Sequence, residues 1–213
     1  MQLKITNFVK SPPEHLYWDV PLLIWELELI DVNNYAQLTQ ELLRDDIWRE
    51  HKNYPRGRYI YNRDTSPLLT EFLLTVESHL PQVVYDTMFS EREVNANRHL
   101  PIEWYKKHGM CCDIYKDTAG FEMPPHMDNH HIVAQAIVNI TSSDTATKFH
   151  NPSDYNSTSR VKWQDLPAQY TASHQALTGV AFFNNSNSVH SISGVTKDRF
   201  ILYQALVDYT MQT

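Results

Sequence analysis

Glycine is scarce in this chain, with five among 213 residues. Glycine is the default residue for left-handed turns, so tight turns here must lean on Asn, Asp, Ser and Pro. Cysteine is scarcer still: Cys111 and Cys112 are the two, and they are neighbours. A disulfide between adjacent residues is strained, and no third cysteine offers a partner. The expectation is two reduced thiols with a packing role, in a cytoplasmic protein. No apolar run reaches the roughly 18 residues of a membrane span. Residues 1–10 lack the apolar core of a signal peptide. Net basic charge is also missing: the formal charge is −7. Sequence-independent binding to duplex nucleic acid needs a clustered basic surface, so a nucleic-acid partner is not expected.

What is present is ordinary globular material. The chain is 42% hydrophobic and 20% charged, with twelve Tyr, eight Phe and five Trp to fill a core. Its length suits a single domain over residues 1–213. The pattern divides it into a mostly helical supporting region, 1–100, and a strand-rich core, 101–213. Early on, Trp25, Leu27 and Leu29 alternate with Glu26 and Glu28, which predicts a strand within 21–32. Asn33 and Asn34 then offer N-cap chemistry for a helix over 35–51. Ser66 followed by Pro67 starts a second helix, with Leu69, Phe72, Leu73, Val76 and Leu80 at helical spacing and Pro81 as a bend or break. After residue 100, short runs of Val, Ile, Phe and Tyr alternate with polar loops, the pattern of an antiparallel sandwich or barrel. Residues 151–173 form a loop long for a compact domain, which reads as a lid or as disorder.

The chemistry concentrates in the second half. His126 and Asp128 stand two residues apart. On a strand such residues share a face, about 6–7 Å apart, and can reach one ion. His190, in another strand-like segment, supplies a third donor. Two His and one carboxylate make the facial triad of non-heme iron(II) sites, which leaves coordination positions open. Arg199 follows nine residues later, after a turn at Gly194. An antiparallel hairpin would place it beside the His190 strand. A buried arginine needs an anion, and its fork suits a carboxylate. A ligand dicarboxylate would serve, as would the ordinary partners Asp198 or Asp208.

Residues 112–128 (CDIYKDTAGFEMPPHMD) and 179–202 (GVAFFNNSNSVHSISGVTKDRFIL) resemble the two motif segments of prolyl-4-hydroxylase-like 2-oxoglutarate and iron(II)-dependent oxygenases. The resemblance spans about residues 110–206. It implies a mainly β double-stranded β-helix, or jelly roll, with N-terminal supporting helices. It implies His126, Asp128 and His190 as iron ligands. Arg199 and Tyr115 would bind the distal carboxylate of 2-oxoglutarate, with Asn139 as a further polar contact and Ile192 lining the cosubstrate pocket. Dioxygen would be the oxidant, and the substrate a peptidyl or small-molecule C–H bond. The family's Gly-Gly-x-Thr-x-Phe segment is replaced by SDTATKFH, 143–150, which keeps Thr147 and Phe149 without glycines. Asp128 favours hydroxylation, because related halogenases carry a small residue there to admit chloride.

Other residues have competing readings. His130 and His131 could be alternative ligands of a zinc site, or edge the substrate opening. Gln135 and Ile137 share a face with Asn139 and could line the pocket. Trp104, Tyr105, Tyr59 and Arg58 belong either to an opening or to core and rim. His108, His150 and His174 read as surface residues. Two functions of other kinds keep the fold: a cupin-like metal dioxygenase that does not use 2-oxoglutarate, and a non-catalytic β-sandwich.

Overall fold

The structure is a computed structural model, described over residues 1–10, 22–54, 57–90, 100–151, 166–185 and 187–210. Two antiparallel sheets build it. The larger contains β1 (Gln2–Lys10), β2 (Leu23–Ile30), β3 (Trp48–Glu50), β4 (Arg58–Tyr61), β5 (Met110–Asp117), β7 (Ile132–Asn139), β10 (Thr178–Phe183) and β12 (Arg199–Val207). Their spatial order is β1-β2-β10-β7-β12-β5-β4-β3. The smaller contains β6 (Met123–His126), β8 (Lys148–Phe149), β9 (Tyr170–Thr171) and β11 (His190–Ile192), in the order β6-β11-β8-β9. The helices are α1 (Tyr35–Glu41), α2 (Pro67–Ser90) and α3 (Ile102–His108). This is the mainly β jelly roll that the motifs imply. Among the described residues, no helix is long and apolar enough to cross a membrane.

Strand periodicity explains how the layers meet. On β12, Phe200, Leu202 and Leu206 face one way and join the main core. On α2, Leu69, Phe72, Leu73, Val76, Leu80, Val84 and Met88 form the stripe that covers them. The alternate β12 residues, Arg199, Ile201 and Tyr203, face a cavity on the other side. Ile24, Phe149, Val180 and Phe182 pack into a second apolar cluster, with Phe149 from the small sheet and the other three from the large one.

The N-terminal half departs from the sequence pattern. It supplies α1 and α2, but also β1 to β4, which extend both edges of the large sheet. The helix expected over 35–51 stops at Glu41. Arg44 donates to both carboxylate oxygens of Asp46 and to Glu41, closing a turn. Ile47 is then buried and Trp48 pairs with Tyr61 across β3 and β4. Tertiary pairing of two bulky residues overrides helical spacing here. Asn34 is the N-cap of α1, yet it adopts a left-handed conformation and makes no side-chain cap. The Ser66 cap does form, with the Leu69 amide donating to its hydroxyl at 3.4 Å. Pro81 does not divide α2. Of the loop 151–173, residues 152–165 lie outside the described residues; Tyr170–Thr171 is a strand, β9.

Gly179 shows how tightly the sheet is packed. A Cβ there would lie 2.1 Å from the Ile137 carbonyl oxygen of the neighbouring strand. Gly179→Ala must push β10 and β7 apart. The expected cost is about 2–3 kcal/mol of unfolding free energy, read by urea denaturation followed by circular dichroism.

Candidate metal centre and anion pocket

The β6–β11 pairing places His190 directly opposite His126. Their ring centroids are 4.5 Å apart. Asp128 lies two residues past His126, where β6 has already ended, so a bend rather than strand alternation delivers its carboxylate. Its oxygens stand 3.6 Å from His126 Nε2 and 3.4 Å from His190 Nε2. One donor atom from each of the three residues lies within 4.8 Å of the others. Among the described residues this is the one cluster that could hold a metal ion.

The surrounding hydrogen bonds prepare the donors. Nδ1 of His126 donates to the Pro124 carbonyl, and Nδ1 of His190 to the Ser188 carbonyl, each at 2.8 Å. Those bonds fix both tautomers and leave the Nε2 lone pairs directed at the centre. His126 Nε2 is buried without a hydrogen-bond partner, as a vacant ligand atom is. Gln135 donates to Asp128 Oδ2. Asn184 donates to the carbonyls of Asp128, Asn129 and Ile132, which pins the segment after Asp128. The residues present therefore fit a divalent metal with two imidazoles and one carboxylate.

The metal cluster opens on a cavity of about 270 Å³. Tyr115, His126, Asp128, His190, Ile192 and Arg199 all line it, as do Gln135 and Ile137. Asn139 is buried beside the cavity without lining it. Its amide donates to the Ser173 and Thr178 carbonyls, and its oxygen accepts from Arg199 Nε at 3.4 Å. Arg199 arrives differently from the expected hairpin. β11 and β12 belong to opposite sheets, so the segment between them crosses the sandwich. His190 and Arg199 consequently face each other's cavity from two walls.

The partner of Arg199 is neither Asp198 nor Asp208. Asp198 pairs with Lys116 at 3.0 Å. Arg199 meets Asp117 at 3.2 Å and Thr147 Oγ1 at 3.3 Å. Asp117 is wholly buried and also accepts two bonds from Arg58, at 2.6 and 2.9 Å. Two guanidiniums against one carboxylate leave this end of the cavity with a net charge of +1. Sequence reading missed Asp117 altogether. The one signal available is parity, since Asp117 follows Tyr115 by two residues on β5.

Several expectations change. Arg58 is buried against Asp117 and lines the cavity. Tyr105 is buried in the core and Trp104 packs against that core; neither lines the cavity, and nor does Tyr59. His130 and His131 stay out of the metal cluster: they stack on each other at 4.0 Å, and His131 also stacks on Tyr209. His108 and His174 are exposed as expected. His150 is buried, with Nε2 2.7 Å from Ser191 Oγ. Cys111 is half-buried and Cys112 buried, and both are free thiols.

This fold is found in solved prolyl hydroxylases. The chain is similar to a Pseudomonas putida prolyl-4-hydroxylase, with TM-score 0.51 and 11% identity over 82% of this chain and 85% of that one. It is also similar to a Trichoplax adhaerens prolyl hydroxylase solved with a hypoxia inducible factor oxygen degradation domain peptide fragment. There the TM-score is 0.55 and the identity 10%, over 88% of this chain and 84% of the other. No protein-family model and no curated protein matches the sequence. The likeness establishes a prolyl-4-hydroxylase-like 2-oxoglutarate oxygenase fold.

The donors also differ in how they hold protons. Burial opposes ionisation of Asp128, but the close approach of the His126 ring, the field of His190 and the bond from Gln135 outweigh it, lowering its pKa to about 2. Burial, with the nearby His126, pushes His190 down to about 4 against the pull of Asp128. Burial also works against the charge on His126, yet Asp128 and the Pro124 carbonyl raise it above its ordinary 6.5. A metal must therefore displace one proton, from His126, at mildly acidic pH. Metal affinity should fall as pH falls, by about tenfold per unit between pH 6 and 5. Calorimetric titration with zinc or manganese reads this slope; a hundredfold loss per unit would mean that both imidazoles compete.

Proposed function

We propose that this chain is an iron(II)- and 2-oxoglutarate-dependent dioxygenase, a single oxygenase domain over residues 1–213. It would hydroxylate a C–H bond of a peptidyl or small-molecule substrate and release succinate and carbon dioxide. One observation carries the reading: a single cavity has three convergent potential metal donors on one wall and a net positive charge on the other. A cupin-like metal enzyme has no need of the second feature. A non-catalytic sandwich has no need of donors held together.

When bound, iron(II) activates dioxygen, and 2-oxoglutarate supplies the electrons by oxidative decarboxylation. His126, Asp128 and His190 would occupy one face of the ion and leave the other positions free. Arg199, with the Thr147 hydroxyl beside it, would hold the distal carboxylate by charge-assisted hydrogen bonds. Burial pushes the Tyr115 phenol up, so it stays a proton donor to the same group. Asn139 would act through Arg199, by holding its Nε. Ile137, Ile192 and Ile201 give the cavity apolar walls and exclude water.

The substrate side is a second cavity of about 250 Å³, which shares Asn129, Ile132 and Tyr203 with the first. Ala205 and Val207 line it further along β12, and the exposed Tyr209 ring stands with them. A peptidyl substrate is supported by the Trichoplax prolyl hydroxylase, which was solved with a peptide bound.

Anaerobic addition of iron(II) and 2-oxoglutarate should produce the weak visible charge-transfer band of the chelate. Arg199→Ala should weaken 2-oxoglutarate binding by about a hundredfold, near 3 kcal/mol for a truncated buried charge pair. Asp128→Ala should abolish succinate formation. A wild-type chain with no band, and no response to Arg199→Ala, would sink the proposal.

A further inference from the structure

We propose that Arg58 is a positioning residue for the cosubstrate: it captures Asp117 and so leaves Arg199 free to bind an incoming carboxylate. The inference rests on the 2-oxoglutarate reading above and concerns how that site is kept open.

The arrangement follows from strand register. Arg199 stands directly opposite Asp117 across β12 and β5. Arg58 stands directly opposite the same Asp117 across β4 and β5. Directly opposed residues share a face, so the three form one row, Arg–Asp–Arg, across three neighbouring strands. Asp117 could pair with either arginine. The geometry shows which it prefers. Arg58 gives it a two-pronged fork, Nε to Oδ1 at 2.6 Å and Nη2 to Oδ2 at 2.9 Å. Arg199 gives it one longer bond, Nη1 to Oδ2 at 3.2 Å.

Arg58 is fixed in place for this task. Its guanidinium lies 4.6 Å from the ring centroid of Phe121, 5.2 Å from that of Tyr115 and 5.6 Å from that of Tyr54. Such packing favours a cation and limits its movement. Arg199 has no comparable partner. Besides the shared Asp117, it has long bonds to the neutral groups of Thr147 and Asn139. Its charge is thus only part-compensated: burial, with Arg58 adding to it, pushes its pKa down to about 10.

The charge arithmetic defines the role. With Asp117 and both arginines the pocket carries +1, and one carboxylate neutralises it. Without Arg58, Asp117 and Arg199 would form a closed neutral pair and the incoming carboxylate would meet a competitor already in place. Without Asp117, two guanidiniums would be buried together. Arg58 therefore acts through Asp117 and need not touch the cosubstrate.

A charge-neutralisation series tests this in the full chain loaded with zinc, which does not turn over. Calorimetry measures 2-oxoglutarate binding, and melting curves report folding. Arg58→Met should weaken binding at least tenfold. Adding Asp117→Asn to that variant should restore affinity to within about threefold of wild type. A purely structural role predicts the opposite, since the double variant removes more of the network. Asp117→Asn alone should bind at least as tightly as wild type, which keeps the test alive if Arg58→Met does not fold. Wild-type affinity in Arg58→Met, no recovery in a folded double variant, or a tenfold loss in folded Asp117→Asn would each overturn the inference. If wild type itself binds no 2-oxoglutarate and Arg199→Ala changes nothing, the cosubstrate reading fails and this inference falls with it. If wild type binds and Arg199→Ala does not, a failed rescue condemns this inference alone.

Discussion

A buried guanidinium is costly, and this cavity holds two of them at one end. That cost is tolerable only if Asp117 sits between Arg58 and Arg199, and only a specific register of β4, β5 and β12 puts it there. The register is set on the far side of the sheet. Phe200 and Leu202 lie on β12 between and beyond Arg199 and Ile201, and they pack in the core that α2 covers. A slip of one residue would carry Phe200 into the cavity and Arg199 into the apolar core, so the two faces enforce each other. The hydrophobic core thus specifies the anion pocket indirectly, through parity. Its contribution to the site is not proximity but alignment.

The metal end obeys a different constraint. Its donors come from the small sheet and the bend after it, where strands are only two to four residues long. Short strands give little register of their own. Precision comes instead from backbone carbonyls at Pro124 and Ser188 and from the three hydrogen bonds that Asn184 donates to the carbonyls of Asp128, Asn129 and Ile132. The two ends belong to opposite walls of the sandwich. What holds them at a fixed separation is the apolar packing of Phe149 against Phe182, at 4.8 Å, with the His190 ring against both. A ligand spanning the three donors and the cation would therefore sense the spacing of the sheets, not of any one loop.

This division explains what could be read from the chain. Tyr115, His126, Asp128, His190 and Arg199 sit within two local segments, and local order carries their spacing. β2, α2 and the long central strands announce themselves by period, because each buries one regular face. The missed features all depend on pairing between distant segments. Asp117 gains its meaning from Arg58, 59 positions away. β3 and β4 are too short to show alternation, and their strand character comes from lying on the edge beside β5. His150 is buried because Ser191 and the Pro167 carbonyl meet it, again from distant segments. The hairpin expected between His190 and Arg199 was misread for a related reason. A turn of that length joins adjacent strands in a meander, but in a jelly roll it can equally cross between sheets, and sequence does not distinguish the two.

Arg58 also lies far along the chain from the other residues that form the cationic end. The motif segments are residues 112–128 and 179–202, and Arg58 lies well outside them. Asp117 is shared between Arg199 on β12 and Arg58 on β4, so the pocket's electrostatics are divided between a part with recognisable spacing and a part without it. Along β12 the division continues in space. Arg199, Ile201, Tyr203, Ala205 and Val207 share one face and pass from cation to aliphatic wall to the exposed rim at Tyr209. The cationic end is constrained by one carboxylate and a fixed register. The far end carries no charge on this face, and Ala205 and Val207 shape it as buried apolar side chains. Every member of the Arg–Asp–Arg row is buried and paired, so the charge pattern of the cationic end is set by three strands together.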